Sequence, residues 1–232
     1  MVDRRSGPDW LAHGVIWAGI LVLAFPVYLT FIASTHEAST IANGQMPLVP
    51  GDRFLETYWQ TIFVGPTRTS RMPVGAMMVN TLVMALVISI GKICISIVSA
   101  YAVVYFRFPF RKTAFWMIFM TLMLPVEVRI YPTYNVVASL GLLDTFAGLT
   151  VPLIASATGT LLFRQFFMTI PDELLEASKI DGAGPLRFFW DTVLPLSRTN
   201  IAALFVILFI YGWNQYLWPL LILSLIHISE PT

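Results

Sequence analysis

The chain has 232 residues, of which 57% are hydrophobic and 12% charged, and its formal net charge is +1. Soluble domains carry about 25% charged residues, so this composition excludes an ordinary water-soluble domain and indicates a chain that faces lipid. The near-neutral charge is not typical of nucleic-acid binding. The single cysteine, Cys94, excludes a disulfide framework, and its apolar surroundings predict a buried thiol. The three histidines show no metal-ligand spacing.

Five apolar segments predict membrane-spanning helices, because a helix needs about 20 apolar residues to cross about 30 Å of hydrocarbon. The segments are residues 15–33, 75–106, 113–131, 147–168 and 200–223. A cleaved signal peptide is the alternative for the first segment, although the apolar part of such a peptide is usually about 7–15 residues long. Residues 34–74 are rich in Pro and Gly, which predicts turns and short elements.

The distribution of lysine and arginine predicts the orientation in the membrane, because cytoplasmic loops carry an excess of both. With the N-terminus in the cytoplasm, nine of the fourteen basic residues lie inside: Arg4, Arg5, Arg107, Arg111, Lys112, Arg164, Lys179, Arg187 and Arg198. Three lie outside, namely Arg53, Arg68 and Arg71, while Lys92 and Arg129 lie within spans. The asymmetry therefore predicts a cytoplasmic N-terminus.

An ordered stripe of small and polar residues follows one face of the second predicted span. At about 100° per residue, the members of the stripe fall within an arc of about 80°. They are Thr81, Ala85, Ser89, Lys92, Ser96 and Ser99. Small residues let helices approach closely, and a lysine facing lipid costs about 2.5–3.5 kcal/mol. Lys92 therefore faces protein or a water-filled cavity, either in a helix–helix contact or in a translocation pathway.

The third predicted span ends in a stretch with two prolines, Pro125 and Pro132, which predict a broken helix because proline lacks a backbone donor. Irregular backbone at membrane depth is tolerated only within protein or beside a cavity. Glu127 and Arg129 lie between the prolines, where an irregular backbone would let them meet. They form either a structural ion pair near the outer surface or a gate or solute contact.

The fifth predicted span contains the aromatic residues Trp213 and Trp218 around two amides, Asn214 and Gln215. Tryptophan is typical of the membrane interface, which is one interpretation of this stretch. The amides instead indicate a wet or protein-facing site, since they stand in an otherwise apolar helix. Pro219 predicts a kink just beyond them.

Residues 171–195, between the fourth and fifth predicted spans, predict two short helices that meet at a corner. Pro171 suits a first helical position, Gly182 a left-handed helix end, and Pro185 the start of the second helix. The second helix carries large apolar side chains: Leu186, Phe188, Phe189 and Trp190. Because a solvated loop has no need of such groups, they predict a docking surface for a partner protein.

This loop resembles the EAA loop of ABC importer permeases, whose pattern reads E-A-A-x-x-D-G-A, then F, then I-x-L-P. Ser178 replaces the second Ala of the pattern and Thr192 the usual Ile, and a proline often found further on is absent at Thr199. The resemblance implies that the loop couples to an ATPase, with Glu176 as a charged contact and Gly182 as the corner. The implied coupling residues are Glu176, Ala177, Asp181, Gly182, Ala183, Phe189 and Pro195.

Further stretches resemble the carbohydrate-uptake type of these permeases. Residues 125–132 are similar to its P-x-E-x-x-x-x-P stretch and residues 213–221 to its W-N-x-x-x-W-P-L-L stretch. The wider runs 116–132, 161–189 and 211–222 are most similar to permeases for sn-glycerol-3-phosphate. That solute, or a related sugar or polyol, is therefore implied, with a different sugar or oligosaccharide as the alternative. The candidate pathway residues are Lys92, Glu127, Arg129, Asn214 and Gln215.

The resemblance implies an all-α, polytopic type I ABC importer transmembrane domain in the bacterial inner membrane. It covers residues 1–223, with the coupling loop at 171–195. Residues 224–232 depart from the family, in which a periplasmic segment and a sixth span follow. We therefore expect a C-terminally truncated chain with about five spans, the sixth missing, and a tail that is not native.

The family also implies partners: a second permease subunit, two cytoplasmic ATPase subunits and a periplasmic solute-binding protein. The chain has no G-x-x-x-x-G-K-[ST] phosphate loop, so we expect it to be non-catalytic and to bind no cofactor, while the partner ATPases use ATP and Mg. A membrane-embedded enzyme is one rival, but G-x-S-x-G, H-E-x-x-H and paired intramembrane aspartates are all missing. A secondary transporter, the other rival, would leave the corner loop unexplained.

Overall fold

A computed structural model describes residues 10–65 and 72–223, and these ranges contain helices and turns but no strand. In chain order the helices are α1 (Trp10–Ser34), α2 (Ala38–Ala42), α3 (Phe54–Trp59), α4 (Val74–Tyr105), α5 (Arg111–Met123), α6 (Val126–Ser139), α7 (Phe146–Ile154), α8 (Ala157–Phe167), α9 (Asp172–Ile180), α10 (Pro185–Phe188), α11 (Leu194–Leu196), α12 (Arg198–Trp213) and α13 (Leu217–Ile222). Turns of π-helix extend α3 through Gln60–Val64 and α10 through Phe189–Val193. The chain divides into two compact units, residues 1–78 and 79–232.

Three helical runs of the described residues are long and apolar enough to cross a membrane: Trp10–Ser34, Val74–Tyr105 and Phe146–Phe167. A fourth is reached if Pro185–Leu196 and Arg198–Trp213, which meet at 70°, count as one span. The predicted spans at 15–33, 75–106 and 147–168 correspond to the three runs. The other two predicted spans, 113–131 and 200–223, are not continuous helices but are each divided into two.

The break predicted in the third span is confirmed at the first proline and wrong at the second. Helix α5 ends at Met123, the backbone is extended at Leu124 and Pro125, and α6 begins at Val126. Pro132 lies inside α6, which continues past it to Ser139. The two prolines differ because Pro125 stands at a helix start, where its missing donor has no intrahelical partner to lose.

The fourth predicted span is also interrupted, at Ala155 and Ser156, which the sequence did not predict. Ser156 starts α8 as its N-cap, since its side-chain oxygen accepts a hydrogen bond from the Gly159 backbone N–H at 3.2 Å. Pro152 lies inside α7 and has no N–H to donate to the Gly148 carbonyl one turn earlier. That carbonyl instead accepts a hydrogen bond from Trp218 Nε1 at 3.2 Å.

The first unit combines α1 with short elements, as expected for the described part of residues 34–74. The Tyr28 hydroxyl donates to the Leu48 carbonyl at 2.6 Å, and the Gly51 N–H donates to Thr35 Oγ1 at 2.8 Å. A Cβ atom at position 51 would lie 2.5 Å from the Thr35 carbonyl oxygen, so the turn requires glycine there. These contacts fold residues 35–51 back onto the end of α1.

Two hydrophobic cores stabilise the second unit. The first, here called the loop core, consists of Ile93, Ile97, Ala100, Tyr101, Phe163, Phe167, Phe188, Phe189, Val193, Leu204 and Leu208. The second, the Trp218 core, consists of Met84, Ile88, Val137, Leu149, Trp218 and Ile222. Because α4 contributes to both cores, this long helix is the element around which the unit is built.

The prediction of a buried Cys94 is wrong, since this residue is exposed on α4. An apolar run in a membrane helix does not imply contact with protein, because an apolar side chain is equally suited to face lipid. Cys94 lies two residues after Lys92, about 200° around the helix, and so points away from the polar stripe.

Candidate coupling and translocation site

The corner of the 171–195 segment is a C-terminal helix stop built on Gly182. This glycine has φ = +73°, the left-handed conformation that the sequence predicted. Its N–H donates to the Lys179 carbonyl at 3.0 Å, and the Ala183 N–H donates to the Ser178 carbonyl at 2.9 Å. This pair of hydrogen bonds is the Schellman motif, which ends α9 and redirects the chain.

The two helices that meet at this corner begin near the predicted positions. Pro185 occupies the first turn of α10, as predicted. Pro171 precedes α9 as its N-cap rather than opening it, so the helix starts one residue later, at Asp172. Asp172 and Glu173 lie in the first turn of α9 and Lys179 in the last, an arrangement that favours the helix dipole.

The apolar side chains of the loop divide into two sets, which corrects the prediction of one docking surface. Phe188 and Phe189 are only 2% and 9% exposed and belong to the loop core. Leu186 and Trp190, by contrast, are 73% and 62% exposed. At about 100° per residue, Leu186 and Trp190 fall within about 40° of each other on one face of the helix. Phe188 and Phe189 point away from that face, so helical spacing is the signal that would have separated the two sets.

The implied coupling residues divide in the same way. Glu176, Ala177, Asp181 and Gly182 are exposed, while Ala183 and Pro195 are half-buried. Phe189 is buried and therefore anchors the loop rather than forming part of its outer surface. The exposed set lies on α9 and its corner, next in the chain to the exposed Leu186 and Trp190.

Two tyrosines at the end of α4 hold the loop in place, and sequence reasoning missed both. The Tyr101 hydroxyl donates to the Pro185 carbonyl at 2.7 Å, and the Tyr101 ring lies 4.9 Å from the Phe189 ring. The Tyr105 ring meets the Phe188 ring edge to face at 5.3 Å. Spacing of four residues places the tyrosines on one helix face, which is the signal that would have found them.

The small-residue stripe of α4 forms close helix contacts. A Cβ atom at Gly159 would lie 2.5 Å from Ser96 Oγ, and one at Gly212 would lie 3.0 Å from the Ala85 Cα. The Ser96 hydroxyl also donates to the Ser156 carbonyl at 3.2 Å, at the break between α7 and α8. The stripe is thus a helix–helix contact at these positions, as small residues in membrane helices allow.

Lys92 lies in the middle of this contact and is 6% exposed. Its Nζ lies 3.6 Å from the centre of the Tyr211 ring on α12, a cation–π contact. Tyr211 itself is 36% exposed. Lys92 therefore lies within protein, which is one of the two environments that its cost in lipid predicted.

Glu127 and Arg129 both lie in the first turn of α6, which is regular helix. Residues two apart on a helix are not neighbours on its surface, so the irregular backbone that would bring the two together is not found. Arg129 is exposed. An ion pair between Glu127 and Arg129, or a solute contact in its place, stays a prediction.

The prediction that Asn214 and Gln215 lie within a helix is wrong. They lie in the break between α12 and α13. Gln215 Nε2 donates to the Tyr211 carbonyl at 3.2 Å, so Gln215 and Lys92 both contact Tyr211. The break precedes Pro219, which lies inside α13. Trp218 is buried and therefore does not belong to an interfacial belt.

No group of three or more His, Cys, Asp or Glu side chains within residues 10–65 and 72–223 is arranged to hold a metal ion. The described ion pairs are Arg187–Asp191 at 3.2 Å, on the loop, and Arg53–Glu37 at 3.6 Å, both at exposed positions. The predicted tail, residues 224–232, lies outside the described residues.

Comparison with known proteins gives consistent relatives. Residues 92–228 match the family described as "Binding-protein-dependent transport system inner membrane component". The sn-glycerol-3-phosphate transport system permease protein UgpE of Yersinia pestis bv. Antiqua (strain Antiqua) is 57% identical over 224 residues, which are 97% of this chain and 79% of that protein. UgpE of Rhizobium meliloti (strain 1021) is 56% identical over 222 residues, covering 96% of this chain and 79% of that protein.

A solved structure shows the same fold. It is a bacterial ABC transporter involved in the import of the acidic polysaccharide alginate, with a TM-score of 0.77, 21% identity, and coverage of 97% of this chain and 78% of that chain. The fold is therefore that of a type I importer transmembrane domain. The chain is a multi-pass membrane protein and belongs to the family of inner membrane components of binding-protein-dependent transport systems.

Proposed function

We propose that this chain is a permease subunit of an ATP-driven importer that carries sn-glycerol-3-phosphate, or a related sugar or polyol, across the inner membrane. The relatives named as sn-glycerol-3-phosphate permeases support the solute, since they are 55–57% identical over 96–97% of the chain. The N-terminus lies in the cytoplasm, in accordance with the excess of basic residues on that side. Uptake of an unphosphorylated sugar in place of sn-glycerol-3-phosphate would favour the alternative solute.

The two-sided loop is the observation that carries the coupling role. Its outer side presents Glu176 and the Gly182 corner, while its inner side is fixed through Phe188 and Phe189. Two cytoplasmic ATPase subunits, which use ATP and Mg, would contact the outer side. The chain itself is non-catalytic, and a second permease subunit and a periplasmic solute-binding protein complete the complex.

Movement of the loop would pass directly to three membrane helices. The loop core joins Phe188, Phe189 and Val193 to side chains of α4, α8 and α12. A well-packed core transmits displacement because it compresses little. ATP-driven movement of the ATPases would therefore shift these helices together and switch the pathway between outward-open and inward-open states.

Substitutions on the outer side of the loop test this role. Glu176→Lys reverses a charge at an exposed position, and Gly182→Val places a β-branched residue at φ = +73° at a cost of about 1–2 kcal/mol. We expect both variants to insert in the membrane, to retain less ATPase subunit on co-purification, and to take up less sn-glycerol-3-phosphate.

The matched control is Gly182→Asn, since asparagine tolerates the left-handed conformation and a side chain at this position meets open space. This control should retain the ATPase. Normal uptake by Glu176→Lys and Gly182→Val in the complete importer would defeat the coupling assignment.

We propose further that Lys92 and Arg129 favour passage of the anionic solute. A phosphate monoester carries about −1.5 to −2 charge at neutral pH and cannot enter hydrocarbon unpaired. Lys92 contacts the ring of the partly exposed Tyr211, and Arg129 is exposed on α6. Asn214 and Gln215, in the neighbouring break, would supply polar contacts to the same pathway.

Arg129→Gln, alone and together with Glu127→Gln, distinguishes solute contact from charge neutralisation. If Arg129 contacts the solute, both variants should be defective in sn-glycerol-3-phosphate uptake, while ATP hydrolysis stimulated by the solute-binding protein persists. Restored uptake in the double variant would show that Arg129 only neutralises Glu127.

A further inference from the structure

A cavity of about 390 Å³ lies beside the ends of α4, α5 and α8, and none of its lining residues belongs to the loop core or to the Lys92 contact. Its lining is divided by chemistry. The polar part consists of Arg111, Lys112 and Arg164, and the aromatic part of Phe115, Trp116 and Phe119. None of these residues has a place in the coupling or solute pathway proposed above.

Two of the three cations of the cavity are held in position, and none of the three takes part in a described ion pair. Arg164 places its guanidinium carbon 4.2 Å from the centre of the Phe115 ring, and Arg111 Nη1 donates to the Phe106 carbonyl at 3.1 Å. No aspartate or glutamate lines the cavity. The ion pairs found among the described residues involve neither these two arginines nor Lys112, so the cavity keeps a net positive charge.

The apolar part of the cavity continues onto the outer surface of the helix. Trp116 is largely exposed on α5, whereas Phe115 and Phe119 are half-buried. A soluble anion would satisfy the cations but leave this aromatic wall uncovered. A ligand that carries a negative headgroup and a long apolar chain would satisfy both parts.

We propose that this cavity binds an anionic phospholipid, with its phosphate on Lys112 and Arg164 and an acyl chain along Phe115, Trp116 and Phe119. Basic pockets between membrane helices on the cytoplasmic side suit such headgroups. Arginine offers a planar pair of donors to phosphate oxygens. Arg111 adds positive charge while it caps the last carbonyls of α4.

The test measures which lipids stay with the importer complex that contains this chain. The complex is reconstituted in discs that contain equal amounts of phosphatidylglycerol and phosphatidylcholine, is re-extracted, and its retained lipids are measured by mass spectrometry. The wild-type complex should retain phosphatidylglycerol in preference to phosphatidylcholine. Each basic residue near a membrane surface contributes about 1 kcal/mol, so Lys112→Gln and Arg164→Gln should each lower this preference about fivefold.

Three controls keep the proposal open to refutation. The charge-conserving variant Lys112→Arg should keep the preference. An equal loss with Arg198→Gln, which removes an exposed basic residue outside the cavity, would show instead that the effect is one of long-range charge. Displacement of the lipid by millimolar sn-glycerol-3-phosphate would assign the cavity to a soluble phosphate. Unchanged retention in the Lys112→Gln, Arg164→Gln double variant, or no lipid preference in the wild-type complex, would overturn the proposal.

Discussion

The loop core and the Trp218 core, which α4 joins, are built by different means. The loop core holds an interhelical segment by contacts between aromatic rings, such as Tyr101–Phe189 at 4.9 Å and Tyr105–Phe188 at 5.3 Å. The Trp218 core stabilises a proline-containing helix by one directed hydrogen bond, from Trp218 Nε1 to the Gly148 carbonyl. Ring packing fixes the inner side of the loop and leaves its outer side exposed. The hydrogen bond from Trp218 instead satisfies the Gly148 carbonyl, to which Pro152 cannot donate because it has no N–H.

The two cores should therefore lose stability through different kinds of substitution. In the loop core, many small contacts contribute, so the loss depends on the volume removed. In the Trp218 core, one polar partner matters, because an unsatisfied carbonyl at membrane depth is costly. Four changes test the contrast, beginning with the one expected to cost most.

Phe188→Ala should have the largest effect, because Phe188 is almost fully buried in the loop core. Truncation of a buried phenylalanine costs about 3–5 kcal/mol. We expect a lower unfolding temperature in detergent and loss of the ATPase subunit on co-purification. Trp190→Ala is the control, since its ring is mostly exposed, and it should lose ATPase binding without a change in unfolding. Equal destabilisation by both variants would contradict the division of the loop into inner and outer sides.

Trp218→Phe should follow, because it keeps an aromatic ring but removes the donor to the Gly148 carbonyl. An unsatisfied buried carbonyl costs about 1–3 kcal/mol. We expect thermal destabilisation with ATPase binding intact, since the coupling loop packs in the other core. Trp213→Phe, at a partly exposed position, should leave the unfolding temperature unchanged. A loss of ATPase binding with Trp218→Phe would mean that the cores are not independent.

Tyr101→Phe removes only the hydroxyl that donates to the Pro185 carbonyl, while the ring contact with Phe189 remains. Such a bond contributes about 0.5–1.5 kcal/mol. We expect nearly normal stability and a lower ratio of solute transported to ATP hydrolysed, because the start of α10 is held less firmly. An unchanged ratio would show that ring packing alone fixes the loop.

The fourth test determines which side of the membrane the coupling loop and the end of α6 face, and it should leave stability unchanged. With Cys94 replaced, a cysteine at Ser139, at the end of α6, should react with an impermeant thiol reagent from outside, as should one at Thr40. A cysteine at Thr192, within the loop, should react only after the membrane is opened. External labelling at Thr192 would invert the proposed orientation.

Local backbone chemistry was predictable from the sequence. The left-handed Gly182, Pro185 at the start of α10 and the break at Pro125 all follow from which φ values and donors each residue allows. That Lys92 would avoid lipid was equally predictable, because exposure to lipid is costly for a lysine wherever the fold places it. The structure decided between protein and a water-filled cavity, since Lys92 is buried.

Which apolar groups face protein was decided only by the tertiary structure. Cys94 and Trp190 are exposed while Phe188 and Trp218 are buried, although all four are apolar or aromatic. Hydropathy cannot distinguish lipid from protein, since both are equally apolar. The partner of Lys92, Tyr211, and the acceptor for Trp218, Gly148, lie far away in sequence. Composition and local pattern thus determined that the protein is a helical membrane protein with a corner at Gly182. Only long-range packing decided which side chains hold that corner in place.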